Sequence, residues 1–133
     1  MNKSKGFTII ELIVVIAIIA VLAAIVLVNV TGYINKGKDA AAEGNLAGML
    51  TQGAYWYDAN NDTFTGFLTA SSGGANFTDA IANEGYSAPN CNYASGDTGW
   101  CCDVILKVTN THYCVDSTGV KKTPSTCTAG LCS

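Results

Sequence analysis

Lys5-Gly6-Phe7-Thr8-Ile9-Ile10-Glu11-Leu12-Ile13-Val14-Val15 sets a single carboxylate at the front of a long apolar run. From Leu12 to Val28 there is no polar residue, and between Phe7 and Val30 the interruptions are Thr8, Glu11 and Asn29. A hydrocarbon core about 30 Å thick takes roughly 20 apolar residues at 1.5 Å each, so the run is long enough to span a bilayer. A cleavable secretory signal also begins with lysines and continues apolar, but its core is shorter and ends at a small-residue cleavage site. Here the run passes into a helix-compatible segment from Thr31 to Leu50, which marks it as retained. In such a run an ionised glutamate costs about 2.5–3.5 kcal/mol near the helix centre and less near the membrane surface, so the default expectation for Glu11 is a function.

The remaining composition fits an exported, membrane-anchored chain. Its 133 residues leave room for one such helix and one small domain. Cys91, Cys101, Cys102, Cys114, Cys127 and Cys132 all fall after the apolar run. Six cysteines admit fifteen full pairings, which spacing alone does not resolve. A zinc site is the rival reading, but no C-x2-C knuckle is present, and adjacent Cys101-Cys102 with the single His112 makes a poor tetrahedral set. Disulfides place the C-terminal part in an oxidising compartment outside the cytoplasm. We expect Cys114 to meet Cys102 across a hairpin and Cys127 to close a small loop with Cys132. Lys3 and Lys5 favour an inside N-terminus, while Lys36 and Lys38 past the run weaken that asymmetry.

Beyond the run, Leu46, Met49, Leu50, Gly53, Ala54 and Tyr57 recur at three- and four-residue spacing, which predicts an amphipathic helix with that face in a core. The turn formers Asp58 to Asp62 end the helix near Tyr57, giving about 75 Å from Phe7 at 1.5 Å per residue. Gly32, Gly37, Gly44, Gly48 and Gly53 mark places where it bends, melts or packs closely, at about 1 kcal/mol each relative to alanine. From Asp58 to Ser133 the sequence reads as short elements joined by turns. Phe77 to Glu84, stopped by Gly85, reads as a short helix. Val104 to Val108 and Tyr113 to Asp116 read as a hairpin joined by Thr109 to His112, with Val120 to Lys122 as a third, edge strand. The fold class is α+β: a long N-terminal helix on a small antiparallel sheet, marginal alone and stapled by disulfides.

The N-terminal stretch resembles the type III signal of type IV pilins and their pseudopilin relatives: a short basic leader ending in Gly6, then Phe7, then Glu11 five positions into the mature chain. The likeness runs residue by residue from Lys3 to Tyr33, and Tyr113 to Gly119 is similar to the closing strands of pilin-like proteins. It implies residues 1–6 as a leader, 7–57 as the long helix (7–30 the membrane and assembly segment, 31–57 amphipathic) and 58–133 as an extracytoplasmic pilin domain. It further implies a prepilin peptidase that cuts between Gly6 and Phe7 and methylates the Phe7 nitrogen. The partners implied are membrane lipid before assembly, an assembly platform in the inner membrane and further copies in a helical filament. The implied route runs from the cytoplasmic membrane to an extracellular pilus. Ala20 and Val28 stand where the family commonly has Gly and Pro, so helix melting there does not carry over.

After cleavage the Phe7 nitrogen is a cation that Glu11 can meet on its own chain or a neighbour; before cleavage it is a neutral amide. The bland alternative is a wet Glu11 at the membrane surface. His112 stands alone in a loop, and neither an active site, a metal site nor a cofactor is expected. Lys121-Lys122 could touch DNA, but without the two leader lysines the chain sets five lysines against ten acidic residues, so a solvated edge is the better reading and a nucleic-acid partner stays open. Two function classes remain: a structural filament subunit for adhesion, motility or DNA uptake, with a pseudopilin of a secretion or competence system as its close relative, and an anchored binding ectodomain that never polymerises.

Overall fold

The structure is a computed structural model and describes residues 6–133. The leader before Gly6, with the orientation signal carried by Lys3 and Lys5, lies outside the described residues. The chain divides into two compact units, one ending at Ile34 and the other running from Asn35 to Ser133. Helix α1 (Ile9–Ala59) contributes to both.

In the first unit α1 is apolar on every side. Its best 18-residue window has a mean hydropathy of 3.3 with none of it buried, long and apolar enough to cross a membrane. The polar residues near the end of the run are satisfied within the helix: Asn29 Nδ2 donates to the Ile25 carbonyl at 3.4 Å and Thr31 Oγ1 to the Leu27 carbonyl at 3.3 Å. Both bonds reach back four residues, so each side chain places one donor on its own helix.

In the second unit α1 buries one narrow stripe, Asp39, Ala42, Leu46, Met49 and Gly53, with Trp56 half-buried in continuation. The spacing alternates three and four, as a single helical face requires. The expected stripe is displaced at its C-terminal end: Ala54 is exposed, and Tyr57 keeps 36% of its surface open while its ring lies 4.9 Å from that of Phe64. The apolar letters at 54 and 57 were misleading because a glycine, Gly53, holds the buried position. A side chain at Gly53 would sit 2.9 Å from Trp100 Nε1, and one at Gly48 would sit 2.8 Å from the Phe77 ring, so both are close-packing sites. Asn61 and Asp62 adopt φ of 56° and 58°, a left-handed step that Asn and Asp tolerate, and the chain leaves the helix there.

Helix α2 (Ala75–Asn83) seats Phe77 and Ile81 on this core. It is followed by β1 (Asn90–Tyr93), β2 (Trp100–Ile105), β3 (His112–Asp116) and β4 (Lys121–Lys122), an antiparallel sheet in the order β1-β2-β3-β4. A separate ribbon, β5 (Cys127–Thr128) with β6 (Leu131–Cys132), closes the chain. Strand β2 starts four residues before the expected Val104 and stops at Ile105, so Leu106 to Thr111 form the connection. The reason is burial on both faces. Trp100, Cys102 and Val104 face the α1 core with Val115, whereas Cys101 and Cys114 face the ribbon cysteines. A second face built of Cys and Asp leaves no apolar alternation to read. Strand β1, rich in Asn, and the two-residue strands of the ribbon went unanticipated for the same want of pattern.

One buried carboxylate ties the helix to the sheet. Asp39 accepts the Lys107 amide at 2.7 Å, the Val108 amide at 2.9 Å and the Tyr86 hydroxyl. Burial pushes the Asp39 pKa up, but these hydrogen bonds and the Lys107 charge outweigh it and hold the carboxyl below the ordinary aspartate value. Lys38 Nζ and Lys107 Nζ both donate to the Glu84 carbonyl, at 3.0 and 3.3 Å, and Lys107 also lies 4.4 Å above the Tyr86 ring.

Candidate processing and assembly site

Gly6 and Phe7 precede α1 in non-helical backbone. Nothing lies within 4 Å of where a side chain on Gly6 would start, and Phe7 is 85% exposed. A peptide bond in non-helical, uncovered chain is what an endopeptidase needs. The next residues close a reciprocal cap. Glu11 Oε2 accepts the Thr8 amide at 2.9 Å and the Thr8 hydroxyl at 2.8 Å, while the Glu11 amide donates to Thr8 Oγ1 at 3.3 Å. Thr8-Ile9-Ile10-Glu11 is therefore a capping box, a threonine followed three residues later by a glutamate. That signal stood in the sequence and was missed because the carboxylate drew attention as a charge rather than as a cap. The box satisfies two orphan donors at the helix start and places a negative group at the positive end of the dipole.

All six candidate cysteines are paired, but not as expected. The disulfides are Cys91–Cys102, Cys101–Cys127 and Cys114–Cys132. Sheet register explains the correction. Cys102 stands opposite Val115 and Cys114 opposite Asp103, so Cys102 and Cys114 point to opposite faces and cannot meet. Cys102 instead has Cys91 directly opposite on β1. Cys127 and Cys132 do face each other across the ribbon, yet their bonds run to β2 and β3 and staple the ribbon to the sheet. Two buried aspartates repeat the fastening in hydrogen bonds: Asp103 Oδ1 accepts the Cys127 amide at 2.9 Å and Asp116 Oδ2 the Cys132 amide at 3.0 Å.

His112 is neither alone nor in a loop. It opens β3, and its Nδ1 bonds the Asp103 carboxylate, which also accepts Asn90 Nδ2 at 2.8 Å. Antiparallel register sets Asp103 diagonally across from His112, a relation invisible to sequence spacing. The pair holds β1, β3 and the ribbon around one buried aspartate. Among the described residues no nucleophile bonds the His112 ring, and no group of three or more His, Cys, Asp or Glu is arranged to hold a metal.

Residues 1–27 match a protein family described as "Prokaryotic N-terminal methylation motif". The match covers the Gly6-Phe7 junction, Thr8, Glu11 and most of the apolar run. It supports a type IV pilin-like or pseudopilin precursor, with processing by prepilin peptidase and assembly into pilus-like polymers. With the apolar helix it fits a membrane-anchored precursor, and it points to a structural subunit rather than an enzyme. Comparison with curated proteins and with solved structures gives no match to either.

Proposed function

We propose that the chain is a type IV pilin: a precursor held in the membrane by α1, cut between Gly6 and Phe7, methylated on the Phe7 nitrogen and polymerised into an extracellular filament. The single observation that carries this reading is the methylation motif over residues 1–27. The uncovered Gly6-Phe7 bond and the all-round apolar start of α1 support it, since such a helix is at home in lipid and in a bundle of its own copies. Three disulfides in a domain of modest core suit life outside the cell.

In this reading Glu11 serves assembly as well as capping. Cleavage turns the Phe7 nitrogen from an amide into a cation, and a carboxylate about 4 Å away at an effective dielectric near 20 interacts with it by roughly 4 kcal/mol before desolvation is subtracted. Desolvation offsets much of that, so the pair sets register and rejects uncut subunits more than it adds raw stability. Thr8 holds the carboxylate in place at the helix start. The test is electron microscopy of filaments sheared from cells, with mass spectrometry of their subunit. Filaments built of this chain support the reading; an abundant, cleaved chain that stays in the membrane with no filament supports the anchored ectodomain instead.

A further inference from the structure

Four asparagines are followed two positions later by a hydroxyl residue: Asn2-Lys3-Ser4, Asn29-Val30-Thr31, Asn61-Asp62-Thr63 and Asn76-Phe77-Thr78. With any residue but proline in the middle, this is the acceptor pattern for N-linked glycans, and it is short enough to recur by chance. Asn2 lies outside the described residues. The fold separates the other three.

Asn29 and Thr31 belong to the apolar part of α1, and both side chains are bonded back to helix carbonyls, of Ile25 and Leu27. Asn76 is exposed in the first turn of α2, but Thr78 Oγ1 donates to the Ala75 carbonyl at 2.9 Å, and Phe77 between them packs on the core. In a helix, residues two apart project roughly 200° from each other around the axis. Neither pair can offer its amide and its hydroxyl to one enzyme.

Asn61 differs on each count. It stands just past α1, where the Asp62 amide closes the helix on the Tyr57 carbonyl at 3.0 Å and the left-handed φ of Asn61 and Asp62 turns the chain away. Its side chain is exposed and its carboxamide bonds no described residue, whereas that of Asn60 donates to the Trp56 carbonyl at 2.9 Å. Thr63 is also off the helix, and its hydroxyl lies at the surface, 2.9 Å from Thr65 Oγ1. The bland account is turn chemistry: Asn tolerates a left-handed φ, and Thr63 Oγ1 accepts the Thr65 amide at 3.2 Å. Both of those roles leave the Asn61 carboxamide in solvent, open to an enzyme.

We infer that Asn61 is a glycosylation site, which takes a sugar from a lipid-diphosphate donor outside the cytoplasm. In the transfer Asn61 Nδ2 bonds the anomeric carbon of the sugar, and the bond from that carbon to the diphosphate oxygen breaks. One Nδ2 proton goes to solvent, and the lipid diphosphate leaves with the bonding electrons. The inference rests on the exported half of the reading above, which the three disulfides support, and not on polymerisation.

The experiment is glycopeptide mass spectrometry of the full chain purified from the cells that make it, with fragmentation that assigns the modified residue. The expected result is a sugar mass on Asn61 and bare Asn29 and Asn76. Asn61→Gly, which suits the left-handed turn, should lose the sugar. Thr63→Val should lose it too with Asn61 intact, Thr63→Ser should keep it, and Asn76→Gln should change nothing. A purely structural role for Thr63 predicts no sugar in any of these chains. Non-reducing peptide maps of each variant check that the disulfides, and with them the fold, are unchanged. An unmodified Asn61 in a disulfide-bonded chain, a sugar on Asn29 or Asn76 in its place, or a sugar on Asn61 that survives Thr63→Val overturns the inference and leaves the filament reading standing. Six free thiols together with a bare Asn61 overturn the exported half of that reading as well.

Discussion

The Glu11 carboxylate accepts both the amide and the hydroxyl of Thr8, at 2.9 and 2.8 Å, so the one acid in the apolar run caps its own helix. This local satisfaction changes what Glu11 needs. It is not an uncompensated charge waiting for a distant cation, because two donors from the same chain already face it. A capping box tolerates Gln in place of Glu, whereas an ion pair with the Phe7 amino group does not. The two roles can therefore be separated by substitution.

Glu11→Gln is expected to leave insertion, cleavage and the helix start intact while filament number falls sharply. Thr8→Val removes the hydroxyl and keeps the charge. It should cost the cap about 0.5–2 kcal/mol and reduce assembly less than Glu11→Gln does. Glu11→Asp, one methylene shorter, should assemble partially. The measurement is filament yield normalised to cleaved subunit in the membrane fraction, and normal yield from Glu11→Gln would leave capping as the whole role.

Two helix glycines should respond oppositely to alanine. At Gly44 nothing lies within 4 Å of the new carbon, so Gly44→Ala should stabilise by up to about 1 kcal/mol through helix propensity. At Gly53 the new carbon meets the fully buried Trp100 ring at 2.9 Å, and overpacking of this kind costs about 1–3 kcal/mol. Thermal unfolding of the detergent-solubilised subunit compares them, and equal melting temperatures would contradict the packing described.

Acid should loosen the link between α1 and the sheet. The folded Asp39 carboxyl titrates below its unfolded value, so its stabilisation is complete above about pH 4 and is lost as pH falls through the folded pKa. Asp39→Asn should lower stability at neutral pH by about 1–3 kcal/mol, because the Lys107 and Val108 amides bond different carboxylate oxygens and the asparagine NH2 group leaves one of them facing a donor. It should also flatten the acid dependence, which melting curves taken from about pH 2 to 6 would reveal. At the other extreme Tyr86, raised by burial and by its bond to Asp39, loses its contribution as pH rises past about 10.

Non-reducing peptide maps should give Cys91–Cys102, Cys101–Cys127 and Cys114–Cys132. Replacing Cys114 and Cys132 together by serine should cost about 2–5 kcal/mol and open the β6 end of the ribbon to proteases, while Cys101–Cys127 keeps β5 on the sheet. Six reactive thiols in the exported protein would contradict the arrangement.

How far the sequence could be read depended on where each signal was local. The apolar run, the end of α1 near Asp58 and the short helix before Gly85 rest on contiguous residues, and α1 and α2 lie where the pattern placed them to within two residues. Strand β3 was legible because Tyr113, Cys114 and Val115 form a short run of strand-favouring residues. Strand β2 was not, since its second face is Cys101 and Asp103 under the ribbon. The disulfide pairing and the His112–Asp103 contact depend on register, which no count along the chain supplies. At the N-terminus the junction and the carboxylate stood out, and the cap between them was overlooked although Thr8 and Glu11 have the required spacing.

The most direct test is the mass of the N-terminal peptide from the chain recovered in filaments. A subunit cut and methylated as proposed begins at Phe7 and carries one added methyl group on its nitrogen. A subunit that keeps Met1 to Gly6 within the filament, or one that begins beyond Val28, would contradict the pilin reading.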